Sequence, residues 1–367
     1  MTPDYWLSAG IVFALALVAA LLLTLVARRL AFRLGMVATP GGRRRHSRPI
    51  AKFGGLPLWG AFTLAALVAQ LLPVERADPN EIVRLTGLLL GGAFIFLAGA
   101  LDDRFDLGAI PQFIAQFIAA GIAITFLIFI ERFNNPLTGE TTAPWPHLVT
   151  IILSLFWLVL MMNTVNWLDG ADGLAAGVNV IAAGLLFFHT VREGQLSVSL
   201  LPLALMGAAL GFLVFNWYPA SIFMGGGAVY LGFTTGALAI IGGAKMATIL
   251  LVMGLPLLDV AWQVARRLVV GKNPLVGDRG HLHFRLIDAG VSPRLLVAGY
   301  YVFCLAFGLV ALSTSSRMFK LIALVVLGGL AVVGFAVVAR RSLVRGETAS
   351  PPAPLHRAPP QRGPRRR

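Results

Sequence analysis

The stretch WLSAGIVFALALVAALLLTLVA, from Trp6 to Ala27, carries no charged residue. A helix needs about 20 apolar residues to cross the roughly 30 Å hydrocarbon core of a bilayer. The stretch therefore predicts a transmembrane helix. Only Asp4 precedes it as a charge, and the run is too long for a cleaved signal peptide, so we expect a retained span.

Ten similar apolar runs follow along the chain. Apolar residues make up 57% of the 367 residues and charged residues only 13%, whereas soluble domains carry about 25% charge. The backbone of a span must satisfy its own hydrogen bonds in lipid, and the short alternating segments of a membrane barrel are absent. We therefore predict an all-α polytopic membrane protein with eleven helices, at residues 6–27, 56–73, 82–101, 109–130, 147–165, 173–191, 197–215, 227–243, 245–262, 295–313 and 319–339.

The basic residues indicate the orientation of these spans. If the N-terminus lies outside, 23 of the 30 Lys and Arg residues fall on the cytoplasmic side, as the positive-inside rule requires. The net charge of +14 is then explained by topology, and we expect no nucleic-acid partner. Residues 1–340 are predicted to form one transmembrane domain, and residues 341–367 a basic, Pro- and Arg-rich disordered cytoplasmic tail. Cys304 is the single cysteine, which excludes a disulfide scaffold.

Polar clusters interrupt the apolar pattern, and all fall on the predicted cytoplasmic side. Asp102 and Asp103 stand side by side at the end of the third span. Adjacent carboxylates repel each other, and a helix C-terminus disfavours them further, so a bound cation or proton would stabilise them. A solvated helix end is the structural alternative.

A second cluster repeats Asn and Asp at three-residue spacing, in Asn163, Asn166, Asp169 and Asp172. Amide and carboxylate groups near hydrocarbon are candidates for binding a sugar, a nucleobase or a metal-bound phosphate. An interfacial loop is the alternative.

Two further clusters complete the set. Asn216 and the Phe223-Met224-Gly225 turn offer an amide, an aromatic face and close backbone approach, although a flexible turn has the same composition. Arg279, His281 and His283 lack the further ligands of a zinc site and suit anionic phosphate oxygens better, unless they form a plain basic loop.

Together these clusters resemble the polyprenyl-phosphate N-acetylhexosamine-1-phosphate transferases of glycosyltransferase family 4. Further matches are Arg45-His46-Ser-Arg-Pro49 before Gly54-Gly55, Lys245-Met-Ala-Thr, and Pro256-Leu-Leu-Asp259. The resemblance covers about residues 40–295. The Asp-Arg-Gly-His-Leu-His form is closer to the UDP-GlcNAc:undecaprenyl-phosphate GlcNAc-1-phosphate transferase branch than to phospho-MurNAc-pentapeptide translocase.

The resemblance implies a reaction at the inner (plasma) membrane, with the active site facing the cytoplasm. A UDP-N-acetylhexosamine, most simply UDP-GlcNAc, would react with polyprenyl phosphate to give polyprenyl-PP-sugar and UMP, which initiates a cell-envelope glycopolymer. Mg²⁺, with Mn²⁺ as the alternative, is the implied cofactor, and a homodimer is a further expectation. The roles implied are catalysis for Asp102 and Asp103, metal binding for Asp169, and nucleotide-sugar binding for Asn163, Asn166, Asp172, Asn216, Phe223, Arg279, His281 and His283.

Two departures from the family pattern bear on this interpretation. The family has an Asp, its main magnesium ligand, directly after the Phe-Met-Gly turn, whereas here Gly225 runs into Gly226. Phe284 also replaces a further His. The alternative is therefore an impaired homologue that binds lipid phosphate or nucleotide sugar without catalysis. A transporter is a second alternative, but it would place ionisable groups at mid-membrane depth, whereas these acids lie at span ends.

Overall fold

The computed structural model describes residues 3–39, 48–132, 135, 138, 140–243, 246–269, 271, 281–314 and 316–344. Helices dominate these residues. Their bounds are α1 Pro3–Leu34, α2 Gly55–Ala69, α3 Glu81–Phe105, α4 Ala109–Thr125, α5 His147–Leu168, α6 Leu174–Arg192, α7 Leu196–Asn216, α8 Gly227–Ile241, α9 Met246–Val252, α10 Gly254–Val269, α11 Leu282–Asp288, α12 Pro293–Ser313 and α13 Arg317–Val344.

The helices coincide with the predicted spans. Six of them are long and apolar enough to cross a membrane, which agrees with a multi-pass membrane protein. Several further spans fall on shorter apolar helices such as α2, α4 and α8. The ninth span differs, because it is divided between α9 and α10 with a break at Met253. The number of crossings and their orientation stay predictions.

Helix α8 lies at the centre of the bundle. Nearly all of its residues are buried in protein, so this short helix is screened from lipid by its neighbours. Small residues allow such close packing. A Cβ at Gly232 would stand 2.5 Å from the carbonyl oxygen of Met161 on α5, and one at Gly211 of α7 would stand 2.6 Å from that of Leu17 on α1.

A small β-sheet departs from the all-α prediction. Strand β1 (Val37–Ala38) pairs antiparallel with β2 (Ile50–Lys52), and β2 pairs parallel with β3 (Ile222–Phe223). The register sets Lys52 opposite Phe223. Strands of two or three residues leave no periodic pattern in a sequence, which is why the prediction missed them.

One end of the bundle gathers the predicted polar clusters. Helices α3, α5 and α7 end there, and α6 and α8 begin there, because their terminal residues contact one another as described below. We call it the site end. The sheet lies at the same end, since β3 immediately precedes the start of α8. Helix α13 continues to Val344, and the rest of the predicted tail, residues 345–367, lies outside the described residues.

Candidate active site

The last turn of α3 carries the two adjacent acids. The backbone N–H of Asp106, which has a left-handed φ of 52°, donates to the carbonyl of Asp102 at 2.8 Å and ends the helix. The Asp102 carboxylate accepts the N–H of Leu107 at 3.0 Å. Asp102 is half-buried. It therefore closes the helix end while part of it remains open to the site end.

Asp103 has a different environment. Its side chain is only 2% exposed, and its two carboxylate oxygens accept the N–H of Gly226 at 2.9 and 3.0 Å. The ammonium of Lys52 lies 3.1 Å from Oδ1, on a side chain that is 32% exposed. A buried carboxylate needs such partners. Asp103 thus fixes a partly exposed cation at the site end.

The glycine turn before α8, at Gly225 and Gly226, packs directly against Asp103 and the backbone of α3. Gly225 has a φ of 58°, and a Cβ there would stand 2.4 Å from Oδ1 of Asp103. A Cβ at Gly226 would stand 2.4 Å from the backbone of Gly99 on α3. The turn therefore contacts α3 directly through backbone atoms. Only glycine fits there.

The loop between α5 and α6 is tied to the segment before β3. Asp172 accepts the N–H of Ala220 at 2.9 Å. Asn216 uses both ends of its amide, because Oδ1 accepts the N–H of Gly173 at 3.1 Å and Nδ2 donates to the carbonyl of Ile222 at 2.9 Å. These bonds join the ends of α5, α6 and α7 into one frame.

Two of the residues predicted to bind the nucleotide sugar lie inside this frame. Asn216 is 1% exposed and Phe223 is 4% exposed, the latter packed with Ile50 and Ala220. Contact with a base would require the segment around residues 217–223 to move. Their nucleotide-binding role stays a prediction.

The two asparagines of α5 have different environments. Asn163 is buried and donates to the side chain of Gln116 on α4 at 2.6 Å, so it links two helices. Asn166, one turn later, is half-buried and makes no side-chain hydrogen bond within the described part of the chain. Asp169 follows as the C-cap of α5 and is also half-buried. Asn166, Asp169 and Asp172 are thus all partly exposed, whereas Asn163 is buried.

The histidine pair packs against the same loop. The His281 ring centroid lies 5.6 Å from the Trp167 ring and 5.7 Å from the His283 ring. His283 is almost fully buried, and a Cβ on Gly170 would stand 2.1 Å from its Nε2. Gly170 therefore permits this close approach. Arg279 lies outside the described residues.

The structure thus brings most of the predicted residues to one end, in two groups. Asp103 lies with the glycine turn, and the histidines lie with the loop of Asp169. The frame around Asn216 joins the groups. Asn163 points into the bundle instead, toward α4.

Two residues gained a role only from the structure. Lys52 is the ion-pair partner of Asp103, and Asp259 of α10 contacts His281 with its Oδ2 3.0 Å from Nδ1. An acid inside an apolar run was a usable sequence signal for Asp259. Lys52 carries no such signal, because it stands in a basic loop.

The acidic side chains at the site end allow one kind of Mg²⁺ site, and the cofactor itself stays a prediction. No group of three or more His, Cys, Asp or Glu side chains within the described residues could hold a metal as a cage. Mg²⁺, however, is usually bound by one or two carboxylates together with substrate phosphates and waters. The half-buried carboxylates of Asp102 and Asp169 suit that mode.

Comparisons with known proteins all point to one family of transferases. The family model described as glycosyl transferase family 4 matches residues 85–243, which include the acid pair, the loop of Asp169 and the glycine turn. The chain is 32% identical to decaprenyl-phosphate N-acetylglucosaminephosphotransferase of Mycolicibacterium smegmatis, over 80% of this chain and 78% of that protein.

Two other relatives carry similar names. The chain is 29% identical to the probable undecaprenyl-phosphate N-acetylglucosaminyl 1-phosphate transferase of Bacillus subtilis, over 83% of this chain and 85% of that protein. It is 27% identical to undecaprenyl-phosphate alpha-N-acetylglucosaminyl 1-phosphate transferase of Escherichia coli, over 73% of each chain. The similarity therefore extends well beyond the matched family segment.

Proposed function

The chain belongs to glycosyl transferase family 4, and from that membership we propose that it transfers GlcNAc-1-phosphate from UDP-GlcNAc to a polyprenyl phosphate. The products would be polyprenyl-PP-GlcNAc and UMP. The observation that carries the proposal is the convergence of the acid pair, the Asp169 loop and the histidines at one end of an apolar bundle. A reaction between a lipid and a polar nucleotide needs such a site at a membrane surface.

The chemical step is a displacement at phosphorus. An oxygen of the polyprenyl phosphate attacks the phosphorus that is bound to the sugar, the bond from that phosphorus to the bridging oxygen breaks, and UMP leaves with the electron pair. Both reactants are anions, so their repulsion is the main obstacle. Positive groups and oriented donors that act on the transferred phosphate would supply most of the catalysis.

Lys52 and Asp103 are proposed to act on the lipid phosphate. Lys52 is held by Asp103 but keeps a third of its side chain exposed, so its remaining N–H donors can bind a phosphate oxygen. A phosphate monoester is largely ionised at pH 7, because its second pKa is about 6. A general base would therefore contribute little, and correct placement of the nucleophile matters more.

Asn166 and Asp169 are proposed to face the nucleotide sugar. Both are half-buried at the open end of α5. Asp172 and Asn216 would support that loop through their bonds to Ala220 and Gly173. His281 is proposed to contact the nucleotide sugar, whereas His283 is 1% exposed and would reach this ligand only if the adjoining loop moved.

Mg²⁺ is the proposed cofactor. Asp102 and Asp169 would hold it together with the diphosphate oxygens, and when bound it would neutralise charge on the phosphates. Mn²⁺ has the same preference for oxygen ligands.

The finer topology is also part of the proposal. With the N-terminus outside, eleven spans place the site end in the cytoplasm, where 23 of the 30 basic residues fall. The protein would then lie in the plasma membrane and take its UDP-sugar from the cytosol. A homodimer is proposed from the family resemblance alone.

The non-catalytic alternative is not favoured. It rested on the shortened glycine turn, but relatives similar over about four fifths of the chain are named as transferases. The turn is also a closed, ordered contact with Asp103, since both carboxylate oxygens accept its N–H.

A reconstituted assay tests the proposal. Detergent-purified protein should release UMP only when UDP-GlcNAc and undecaprenyl phosphate are both present, and the rate should rise with magnesium concentration. No UMP under any magnesium concentration, with the protein folded, would contradict the proposed function. Release that is independent of added magnesium would contradict the cofactor alone.

A further inference from the structure

Asp259 is an acid inside the apolar run of α10. It is 4% exposed, and a buried carboxylate is unstable unless it is paired. Both of its oxygens are used by the start of α11. Oδ2 lies 3.0 Å from Nδ1 of His281, and Oδ1 accepts the N–H of Leu282 at 2.9 Å. The carboxylate therefore holds His281 through its ring and through the next peptide group.

This contact determines the protonation pattern of the imidazole. An ionised carboxylate only accepts hydrogen bonds, so Nδ1 of His281 must carry a proton. The second ring nitrogen, Nε2, is then left for another partner. Ring packing fixes the plane as well, because the rings of His281 and His283 are nearly parallel, with an interplanar angle of 12°.

We propose that Asp259 is a positioning residue, which holds the Nδ1–H of His281 so that the lone pair of Nε2 accepts a hydrogen bond from a hydroxyl or amide N–H of the bound nucleotide sugar. The ligand in this statement rests on the proposed function. The orientation of the imidazole does not, because it follows from the two hydrogen bonds alone. Loss of a carboxylate that orients a metal-ligating histidine typically costs about 10- to 100-fold in metal affinity or activity, and we expect a loss of similar size here.

A purely structural role for Asp259 is the competing explanation. The same carboxylate accepts the N–H of the first residue of α11, so its removal could loosen that helix without any specific effect on His281. The two explanations differ in how the Asp259 and His281 substitutions combine.

A double-mutant cycle separates them. Asp259→Asn and His281→Gln should each lower kcat for UMP release by about 10- to 100-fold. If Asp259 acts through His281, the double variant should be no slower than the slower single variant, since residues that act as a unit are not additive. Losses that multiply in the double variant would overturn the proposal.

Glu81→Gln is the matched control. Glu81 is also 4% exposed and is also hydrogen-bonded, from the Ser197 hydroxyl, but it lies at the opposite end of α3 from Asp103. It should lower the unfolding temperature while leaving kcat within about twofold of wild type. An equal loss of kcat in this control would mean that any buried charge change impairs the enzyme, and it would overturn the specific role.

Nitrogen-15 NMR of histidine-labelled protein gives a readout that needs no turnover. The chain has six histidines, and His281→Gln assigns the signal of interest by its loss. Wild-type His281 should carry its proton on Nδ1. In Asp259→Asn the asparagine carbonyl faces Leu282 and its NH2 group faces the ring, which favours the proton on Nε2.

Three outcomes of this measurement decide the proposal. The expected change of tautomer supports it, and an unchanged tautomer overturns it. If Asp259→Asn does not fold, two other spectra decide. A wild-type spectrum in which His281 is protonated on Nε2 alone overturns the proposal. Retention of the Nδ1 proton of His281 in Asp259→Glu supports it. If the protein releases no UMP at all, the proposed function fails, yet the tautomer still tests the positioning of His281.

Discussion

Asp103→Asn keeps the shape of the side chain and removes its charge. In the wild type the carboxylate accepts the Gly226 N–H with both oxygens and the Lys52 ammonium with one. An asparagine has one acceptor oxygen, so its NH2 group must face either the Gly226 N–H or the ammonium. One of these contacts becomes donor against donor.

The size of the effect follows from the burial of the two partners. A hydrogen bond to a charged group contributes about 1.5–3 kcal/mol, and the Asp103 side chain is 2% exposed. Lys52 is 32% exposed, so water screens part of its interaction. We expect a loss of about 1–2 kcal/mol in unfolding free energy. Because Lys52 would also lose its fixed position at the phosphate, kcat should fall by about 10²-fold or more.

The assay combines turnover with unfolding. UMP release gives kcat, and a thiol-reactive fluorescent dye reports unfolding in detergent, because Cys304 is the single cysteine and is fully buried. Asp106→Asn is the control, since Asp106 is exposed and its left-handed backbone suits asparagine. Turnover of Asp103→Asn near the wild-type rate, with an unchanged unfolding temperature, would refute the assignment.

Three other changes give separate tests. Gly226→Ala places a Cβ 2.4 Å from the Gly99 backbone and should destabilise the protein by about 1–3 kcal/mol, whereas Gly121→Ala, with no atom within 4 Å, should not lower the unfolding temperature. Inserting Asp between Gly225 and Gly226 should lower the magnesium concentration needed for half-maximal rate, and inserting Asn should not; full turnover of the parent at low magnesium, unchanged by the insertion, would show that the metal is held elsewhere. A reporter fused after Arg367 should be active in the cytoplasm, and activity only in the periplasm would contradict the topology.

Much of the helical framework could be predicted from hydropathy, because lipid requires long apolar segments. The run from Trp6 to Ala27 lies inside α1, for example, and the acid pair does lie at the end of α3. The break at Met253 was missed, since apolar residues continue on both sides of it.

The partners of the site residues could not be predicted. Lys52 and Asp103 are far apart in sequence, and they meet only because β2 pairs with β3 beside the glycine turn. Asn216 could be recognised as polar and near a membrane surface. Both ends of its amide are hydrogen-bonded to backbone groups. These bonds depend on how two loops meet in space, which no local sequence pattern shows.

The central claim is that the chain transfers a sugar together with its phosphate. The most direct measurement follows phosphorus-32 placed in the β-phosphate of UDP-GlcNAc, with undecaprenyl phosphate as acceptor. The account predicts that the label enters the lipid product in equal amount to the UMP released. A lipid product without label, formed together with labelled UDP, would mean that the sugar alone is transferred, and it would contradict the account.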